Sequence, residues 1–322
     1  MKAIRYHQTG PPDVLCVEEV EEPRAERGQV LVRIEYAGVN FADTLLRRGL
    51  YVLKPEPPVT LGFEAAGVIE QVGEDVCDHQ PGDRVALLAN DLYAERAVAT
   101  ANQLVPLPDS IDTRTGAAFP IQALTAYHLL HTAHQLTECQ TVLVHAAAGG
   151  VGLLAVQMAK IIGATVIGTV SSEQKAELVR SLGADHVVNY SEVDFADAVL
   201  DLTGGRGVDL ILDSVGKATF RKGLDVLAPY GNLVTFGQAS GRVEPFDPDL
   251  LIRKALHVSG FVLKYVREDV EELRRTAECI FDWLTFGQLK LTVGRELPLV
   301  EAAKAHALLE GRETTGKVLL KV

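Results

Sequence analysis

Cysteine is scarce in this chain. There are four in 322 residues, Cys16, Cys77, Cys139 and Cys279, and no two form a C-x-x-C pair. That spacing excludes a disulfide framework and a zinc knuckle, and it predicts single buried thiols in a reducing compartment. Positive charge is also short. Lys and Arg number 31 against 43 Asp and Glu, a formal net charge of −12. An acidic surface repels nucleic acid and anionic membrane, so neither is an expected partner, although a local basic pocket is still allowed. No apolar run reaches the ~20 residues that span a bilayer. The first residues, Met1-Lys2-Ala3-Ile4-Arg5-Tyr6, enter strand-like alternation directly and show no signal-peptide core. A cytoplasmic protein is expected. There is no internal repeat, low-complexity tract or linker.

The most informative stretch is Val142-Leu143-Val144-His145-Ala146-Ala147-Ala148-Gly149-Gly150-Val151-Gly152. Three apolar residues read as a buried strand, a run of small residues as a tight turn, and Leu153, Leu154, Val156, Met158 and Ala159 as a helix ending near Gly163. That is a strand–turn–helix unit for a dinucleotide. Gly149 lets the backbone approach a pyrophosphate, Gly152 lets the helix pack on the strand, and the N–H groups of the first helical turn, from Ala148 through Gly150 and Val151, face the phosphates. The motif is imperfect, because Ala147 takes the place of the first glycine of G-x-G-x-x-G. Further strands at Thr165–Val170, His186–Tyr190, Val208–Leu212 and Asn232–Phe236 alternate with helical sequence such as Ser172–Leu182. That order predicts an α/β, doubly wound parallel sheet.

The second strand ends Gly168-Thr169-Val170-Ser171-Ser172, without the acid that would bind a ribose 2′-OH and repel a 2′-phosphate. Ser171, Ser172 and the following Lys175 suit a phosphate. NADPH is therefore the expected cofactor, with a solvated surface role as the plainer reading of Lys175.

The first third of the chain reads differently. Gln29–Tyr36 alternates as a half-buried strand does, Gly67–Val72 and Arg84–Ala89 follow, and prolines punctuate the region. A compact, mostly antiparallel β domain is expected. A helix from Thr115 to about Gln135 would lead into the nucleotide domain. After Phe261 come a helix from Glu268 to about Phe286, a short strand near Leu291, a helix Val300–Leu309 and a last strand Lys317–Val322 that could rejoin the first domain.

Three blocks carry a family resemblance: Ala37-Gly38-Val39-Asn40-Phe41-Ala42-Asp43 running on to Arg48-Gly49-Leu50-Tyr51; Leu61-Gly62-Phe63-Glu64-Ala65-Ala66-Gly67; and the nucleotide motif extended to Gln157 and Lys160. On these the chain resembles the medium-chain dehydrogenase/reductase superfamily, and most of all its zinc-independent quinone oxidoreductase (zeta-crystallin-like) branch, over essentially its whole length. Cys139 departs from the branch, which has a small or acidic residue there. The resemblance implies a Rossmann NADPH-binding domain over residues 125–263 and a GroES-like domain over 1–124 and 264–322. It implies cofactor contacts from Asn40, Thr125, Tyr190, Ser214, Phe236-Gly237-Gln238, Phe261-Val262-Leu263 and Arg312, beside Lys175. It also implies a homodimer in which Phe261–Val266 pairs with its twin. Each residue has a plainer reading: Tyr190 as a packing residue at a strand end, Phe236 and Phe261 as core, Arg312 as a helix-end charge.

Where the superfamily's alcohol dehydrogenases place zinc-ligating Cys and His, this sequence has Asn40 and Phe63, which cannot complete a tetrahedral zinc site. No metal is expected. A quinone suits such a site, because it takes a hydride readily; an enone or enal also fits, because hydride adds at its β-carbon. Asn40 and Tyr51 are the candidate substrate-side groups, Asn40 donating to a quinone oxygen or holding the nicotinamide ribose, Tyr51 bonding a developing oxyanion. Structural roles compete for both, and Glu64 is given no catalytic part. His128, His131 and His134 repeat every third residue and read as solvated or rim histidines rather than a metal site. Three functions stay open: an NADPH-dependent quinone reductase, an NADPH-dependent enone or enal (2-alkenal) reductase, and a nucleotide-binding redox sensor or RNA-binding protein without turnover.

Overall fold

The structure, a computed structural model, describes residues 1–322. Its order opens β1 (Lys2–Tyr6), β2 (Cys16–Glu19), β3 (Gln29–Val39), α1 (Phe41–Arg47), β4 (Val59–Thr60), β5 (Glu64–Val72), β6 (Arg84–Leu87), β7 (Arg96–Thr100), β8 (Leu104–Pro106), α2 (Thr113–Ala118) and α3 (Pro120–His131). It continues β9 (Thr141–Val144), α4 (Gly150–Ile162), β10 (Thr165–Val170), α5 (Glu173–Ser181), β11 (His186–Asn189), α6 (Phe195–Leu202), β12 (Val208–Asp213), α7 (Phe220–Asp225), β13 (Leu227–Thr235), α8 (Asp249–Ile252) and β14 (His257–Gly260). It closes with α9 (Lys264–Glu268), α10 (Val270–Thr285), β15 (Val293–Pro298), α11 (Ala302–Glu310) and β16 (Lys317–Lys321).

Two compact units result. One holds Met1–Ile121, Lys264–Gly287 and Leu291–Val322; the other holds Gln122–Leu263 with Gln288–Lys290. In the first, β15-β16-β3-β5-β6-β8 form a sheet with β7 added on β3, and β2-β1-β4 form a second. Nearly all pairings are antiparallel, β15 with β16 being parallel. The terminal strand β16 does rejoin this unit, pairing with β3 through Leu319↔Gly38 and Leu320↔Ala37. Val30, Val32, Ile34, Leu61, Ile69, Leu87 and Leu104 fill the core, none more than 2% exposed.

In the second unit six parallel strands run β11-β10-β9-β12-β13-β14. In chain order that is 3-2-1-4-5-6, the doubly wound arrangement whose ligands bind beyond the carboxyl ends of the strands. Leu143, Ile167, Ile211 and Leu233 meet in its core. These strands are buried on both faces, which is why they read as unbroken apolar runs rather than alternation.

Several expectations are corrected. The helix from Thr115 to Gln135 is two helices, broken at Phe119, because Pro120 has no N–H to continue the ladder of α2 and instead opens α3. The nucleotide sheet has a sixth strand, β14, whose polar sequence His-Val-Ser-Gly carries no strand signal. The thiols are not buried: Cys16, Cys77 and Cys139 are exposed and Cys279 half-buried. Scarcity and spacing speak to pairing, not to which face of an element a thiol occupies.

Candidate functional site

β9 delivers the chain to the nucleotide turn, which is tied to the strands on either side. The His145 N–H donates to the Leu212 carbonyl at 3.1 Å and the Ala147 N–H to the Thr169 carbonyl at 3.0 Å. Ala146 takes φ 50°, and the Gly149 N–H returns to its carbonyl at 2.9 Å. A Cβ on Gly152 would stand 2.5 Å from the Ala146 oxygen, and one on Gly150 would stand 2.0 Å from the Gln122 side chain. Both positions exclude a side chain by packing. A Cβ on Gly149 would meet only the Ala146 oxygen, at 3.2 Å. Gly149 is the N-cap of α4 with no side-chain cap, and the first intrahelical bond runs from the Leu153 N–H to the Gly149 carbonyl. The amides of Gly150, Val151 and Gly152 precede that bond, and with buried Ala148 they form an uncapped helix start that suits an anion.

The neighbouring pair of strands gathers three more predicted residues. The Tyr190 N–H donates to the Val170 carbonyl at 3.0 Å, and the Ser191 hydroxyl donates to the Ser171 carbonyl at 3.0 Å. Ser172 caps α5 by accepting from the Lys175 N–H at 3.4 Å, which puts Lys175 in the first turn. Ser171, Lys175 and the exposed Tyr190 thus share the carboxyl ends of β10 and β11. The acids close by are engaged elsewhere: Glu173 accepts from Arg180 and Glu192 from the Asn189 amide.

Ser214 follows β12 in a turn shaped by Asp213, whose Oδ1 accepts from the Val215 and Gly216 N–H groups and the Thr219 hydroxyl at 2.8, 3.0 and 2.8 Å. The Phe236 N–H donates to the Asp213 carbonyl and the Ala239 N–H to the Ser214 carbonyl, so Phe236, Gly237 and Gln238 lie against Ser214. The Phe261 N–H donates to the Thr235 carbonyl, with Val262 and Leu263 next along the chain. All these residues lie at or just past the carboxyl ends of one parallel sheet. Two predicted contacts are placed otherwise. Thr125 is buried within α3, and Arg312 belongs to the first unit, after α11, with φ 59°.

Beneath the turn lies a pair that sequence reading passed over. The His145 ring nitrogen Nδ1 meets the Thr169 hydroxyl at 3.0 Å, and its edge meets Phe195. Burial pushes this imidazole down to about 4, against the opposing pull of Asp213, so it is neutral at pH 7.

In the first unit the substrate-side candidates differ in accessibility. Asn40 is 7% exposed and its amide is occupied: Nδ2 donates to Glu64 Oε1 at 2.7 Å, and Oδ1 accepts from Lys317 Nζ at 2.9 Å. Its backbone N–H donates to Asp43, the return half of a capping box on α1. One of its two amide N–H donors is thus aimed at a buried carboxylate rather than at a substrate. Tyr51 is half-buried, with its ring 5.6 Å from Phe63 at 43°. Burial and then the charge of Asp43 raise its phenol above the usual value, while Arg267 opposes them.

Around Asn40 runs a buried network that sequence reading missed. Lys317 pairs with Glu64 at full burial on both sides. Glu64 Oε2 accepts from the Ile121 N–H at 2.7 Å, in the first turn of α3. Burial, reinforced by Glu64, lifts Asp43 to about 7, against the Asn40 N–H and Lys317. The Tyr93 hydroxyl lies 3.3 Å from His306 Nε2, and burial pushes His306 down to about 3. Glu64 was visible as the survivor of the zinc-family triplet, but Lys317, 253 residues further along, carried no signal.

The histidine stripe is local structure. His128 is buried, contrary to the expected rim position, and meets the Thr132 hydroxyl at 2.9 Å. The His131 ring meets the Tyr127 carbonyl at 2.8 Å, and His134 meets Gln140. No group of three or more His, Cys, Asp or Glu side chains converges as a metal would need.

Residues 26–109 match the family described as alcohol dehydrogenase GroES-like domain, and residues 150–278 match zinc-binding dehydrogenase. The zinc of the second description does not fit the donors here, because Phe63 offers no lone pair and the Asn40 amide is engaged by Glu64 and Lys317. The chain is 40% identical to the quinone oxidoreductase of Pseudomonas aeruginosa, over 99% of both proteins. It is 40% identical to a 2-haloacrylate reductase of a Burkholderia species, over 99% of this chain and 98% of that protein. It superposes on the crystal structure of Escherichia coli quinone oxidoreductase complexed with NADPH with a TM-score of 0.96, at 36% identity and with full coverage of both chains.

Proposed function

This chain belongs to the quinone oxidoreductase branch of the medium-chain dehydrogenase/reductase superfamily, and from that membership we propose an NADPH-dependent reductase that passes a hydride to a quinone without a metal. The observation that carries the cofactor reading is the uncapped start of α4 beside Ser171, Lys175 and Tyr190, at the end of a strand, Gly168-Thr169-Val170-Ser171-Ser172, that has no acid. The Rossmann domain is taken as residues 125–263 and the GroES-like domain as 1–124 with 264–322.

NADPH, when bound, supplies the hydride. The amides from Ala148 to Gly152 take the pyrophosphate. Ser171, Lys175 and Tyr190, joined by Arg312, take the 2′-phosphate. Ser214, Phe236, Gly237, Gln238, Thr125, Phe261, Val262 and Leu263 border the adenosine, ribose and nicotinamide. Tyr51 holds its proton at neutral pH, as any phenol does and as burial reinforces here, so it donates a hydrogen bond to the acceptor oxygen as charge develops there. Asn40 acts by fixing α1, from whose end Tyr51 projects. The quinol oxygen takes its proton from water.

An enone or enal is the second reading, favoured by the likeness to a 2-haloacrylate reductase. The test follows NADPH and NADH oxidation with 1,4-benzoquinone and with a 2-alkenal. Rapid benzoquinone turnover with NADPH preferred supports the first reading, and preference for the alkenal supports the second. No turnover with either, despite tight NADPH binding, removes the oxidoreductase and leaves a sensor. No helix is long and apolar enough to cross a membrane. We read the protein as cytoplasmic and as a homodimer joined along the edge strand β14.

A further inference from the structure

Gln122, near the start of α3, lies in the same unit as α4, and its amide rests across the first residue of that helix. A Cβ on Gly150 would stand 2.0 Å from its Cδ, 2.0 Å from Nε2 and 2.2 Å from Oε1. All three amide atoms are thus packed over the Gly150 α-carbon. Gln122 is 8% exposed, yet its amide makes no hydrogen bond within the chain and is not sealed from solvent. Gln157, equally buried, shows the ordinary case. Its Nε2 donates to the Leu153 and Lys290 carbonyls at 2.9 and 3.1 Å, and its Oε1 accepts from the Lys290 N–H at 2.9 Å. Thr125 repeats the exception of Gln122. It follows at i+3, on the same face of α3, and its buried hydroxyl also bonds nothing in the chain. Two unspent polar side chains on one face, one of them packed on an uncapped helix start, add a second wall to the anion site.

We propose that Gln122 is a further coenzyme-binding residue, whose Nε2–H donates to the phosphate on the nicotinamide side of the pyrophosphate. The proposal rests on the NADPH reading above and deepens it. The start of α4 offers backbone donors that point along one axis. Gln122 offers a side-chain donor from a different helix, so a phosphate between them is held from two directions. Gly150 is part of the device, because any side chain there would push the amide away. The nicotinamide side follows from the division of labour. The adenosine 2′-phosphate is assigned to the ends of β10 and β11, to which α3 contributes nothing, and Thr125 continues the Gln122 face along α3 toward the nicotinamide ribose. The pyrophosphate is common to NADPH and NADH. Gln122 therefore strengthens both alike, and the choice between them is left to Lys175 and its neighbours.

The experiment measures binding of NADPH, NADH and adenosine 2′,5′-bisphosphate by calorimetry in the wild type, Gln122→Met and Gln122→Glu. The bisphosphate carries the adenosine-side phosphates and lacks the nicotinamide-side one. Methionine keeps the length and the packing on Gly150 but removes donor and acceptor. Glutamate keeps the shape and sets a carboxylate against the phosphate. Gln122→Met is expected to raise the Kd of NADPH and of NADH by the same factor, about tenfold, as one hydrogen bond to a charged group supplies. Gln122→Glu is expected to weaken both by a further factor of about ten or more, through like charge. The Kd of the bisphosphate stays unchanged in both variants, which also reports that the unit is folded. Wild-type affinity for NADPH in Gln122→Glu, or an equal loss for the bisphosphate, overturns the proposal. If Gln122→Met fails to fold, the isosteric Gln122→Glu carries the same comparison. The two levels separate cleanly. A wild type that binds coenzyme, with both variants unmoved, removes only Gln122, whereas a wild type that binds neither NADPH nor NADH removes the cofactor reading itself.

Discussion

Single residues divide by whether their work is local. The roles proposed for Ser171 and Lys175 lie within one strand–helix turn, so they were legible from the absence of an acid after Val170, whereas that of Tyr190, on the neighbouring strand end, came from the family resemblance. Lys175→Ala is expected to raise the KM for NADPH by about tenfold or more and to leave that for NADH nearly unchanged, since one charge-assisted contact to phosphate is worth about 1.5–3 kcal/mol. Steady-state kinetics with both coenzymes check this, and equal effects would remove Lys175 from the 2′-phosphate. Gly152 is as local. Its Cβ would stand 2.5 Å from the Ala146 oxygen, a backbone atom that cannot swing away. Gly152→Ala should lower stability by about 1–3 kcal/mol and weaken NADPH binding; urea titration and fluorescence titration of the reduced coenzyme read the two effects. Asn40 teaches the opposite lesson. Its type and place in the motif suggested an open donor, but one amide N–H and the amide oxygen are held by Glu64 and Lys317, and no local pattern could reveal partners contributed by another strand.

Among the elements, the last strand does more than complete a sheet. β16 carries Lys317 to the Glu64 carboxylate on β5, and Glu64 also accepts from the first turn of α3. One buried ion pair thus fixes a strand end, the cap of α1 and a helix start. Lys317→Met leaves the carboxylate buried without its cation, and a loss of about 3–5 kcal/mol is expected. Adding Glu64→Gln should recover part of that loss, as the uncompensated charge is then gone. Denaturant unfolding of the single and double variants measures both, and an additive double variant would mean that the two residues act separately. The element types in the nucleotide sheet followed from apolar runs, since parallel strands are buried on both faces. The strand β14 and the break at Pro120 were harder. An edge strand needs little apolar sequence, and small apolar residues on both sides of Phe119 look helical whether or not the helix is continuous.

For the whole molecule, the buried titratable groups pull stability in opposite directions with pH. Asp43 is raised to about 7, so on going up from pH 4 the unfolded chain ionises first and stability falls through pH 7. His306 and His145 are lowered to about 3 and about 4, so on going down from pH 6.5 the unfolded chain gains protons first and stability falls. Asp43→Asn should flatten the decline between pH 4 and 7, and His306→Gln should flatten part of the decline below pH 6.5. Urea midpoints across that range test both; an unchanged slope in either variant would show that the group is not the source. The proposed dimer belongs to this scale as well. His257 is exposed on the edge strand β14, and His257→Asp would add like charge across a twofold axis of chains that already carry −12 each. Sedimentation should move from about twice 34.8 kDa toward the single chain.

The sequence by itself determined the doubly wound sheet, the nucleotide turn and the choice of a phosphorylated coenzyme. Each of these depends on residues within one or two adjoining elements, whose burial and backbone geometry leave a periodic or compositional trace. Only the tertiary structure decided that Asn40 is enclosed and that Lys317 and Glu64 meet. Those facts join residues tens to hundreds of positions apart, and a pairing made by chain reversal imprints no spacing on the sequence that encodes it.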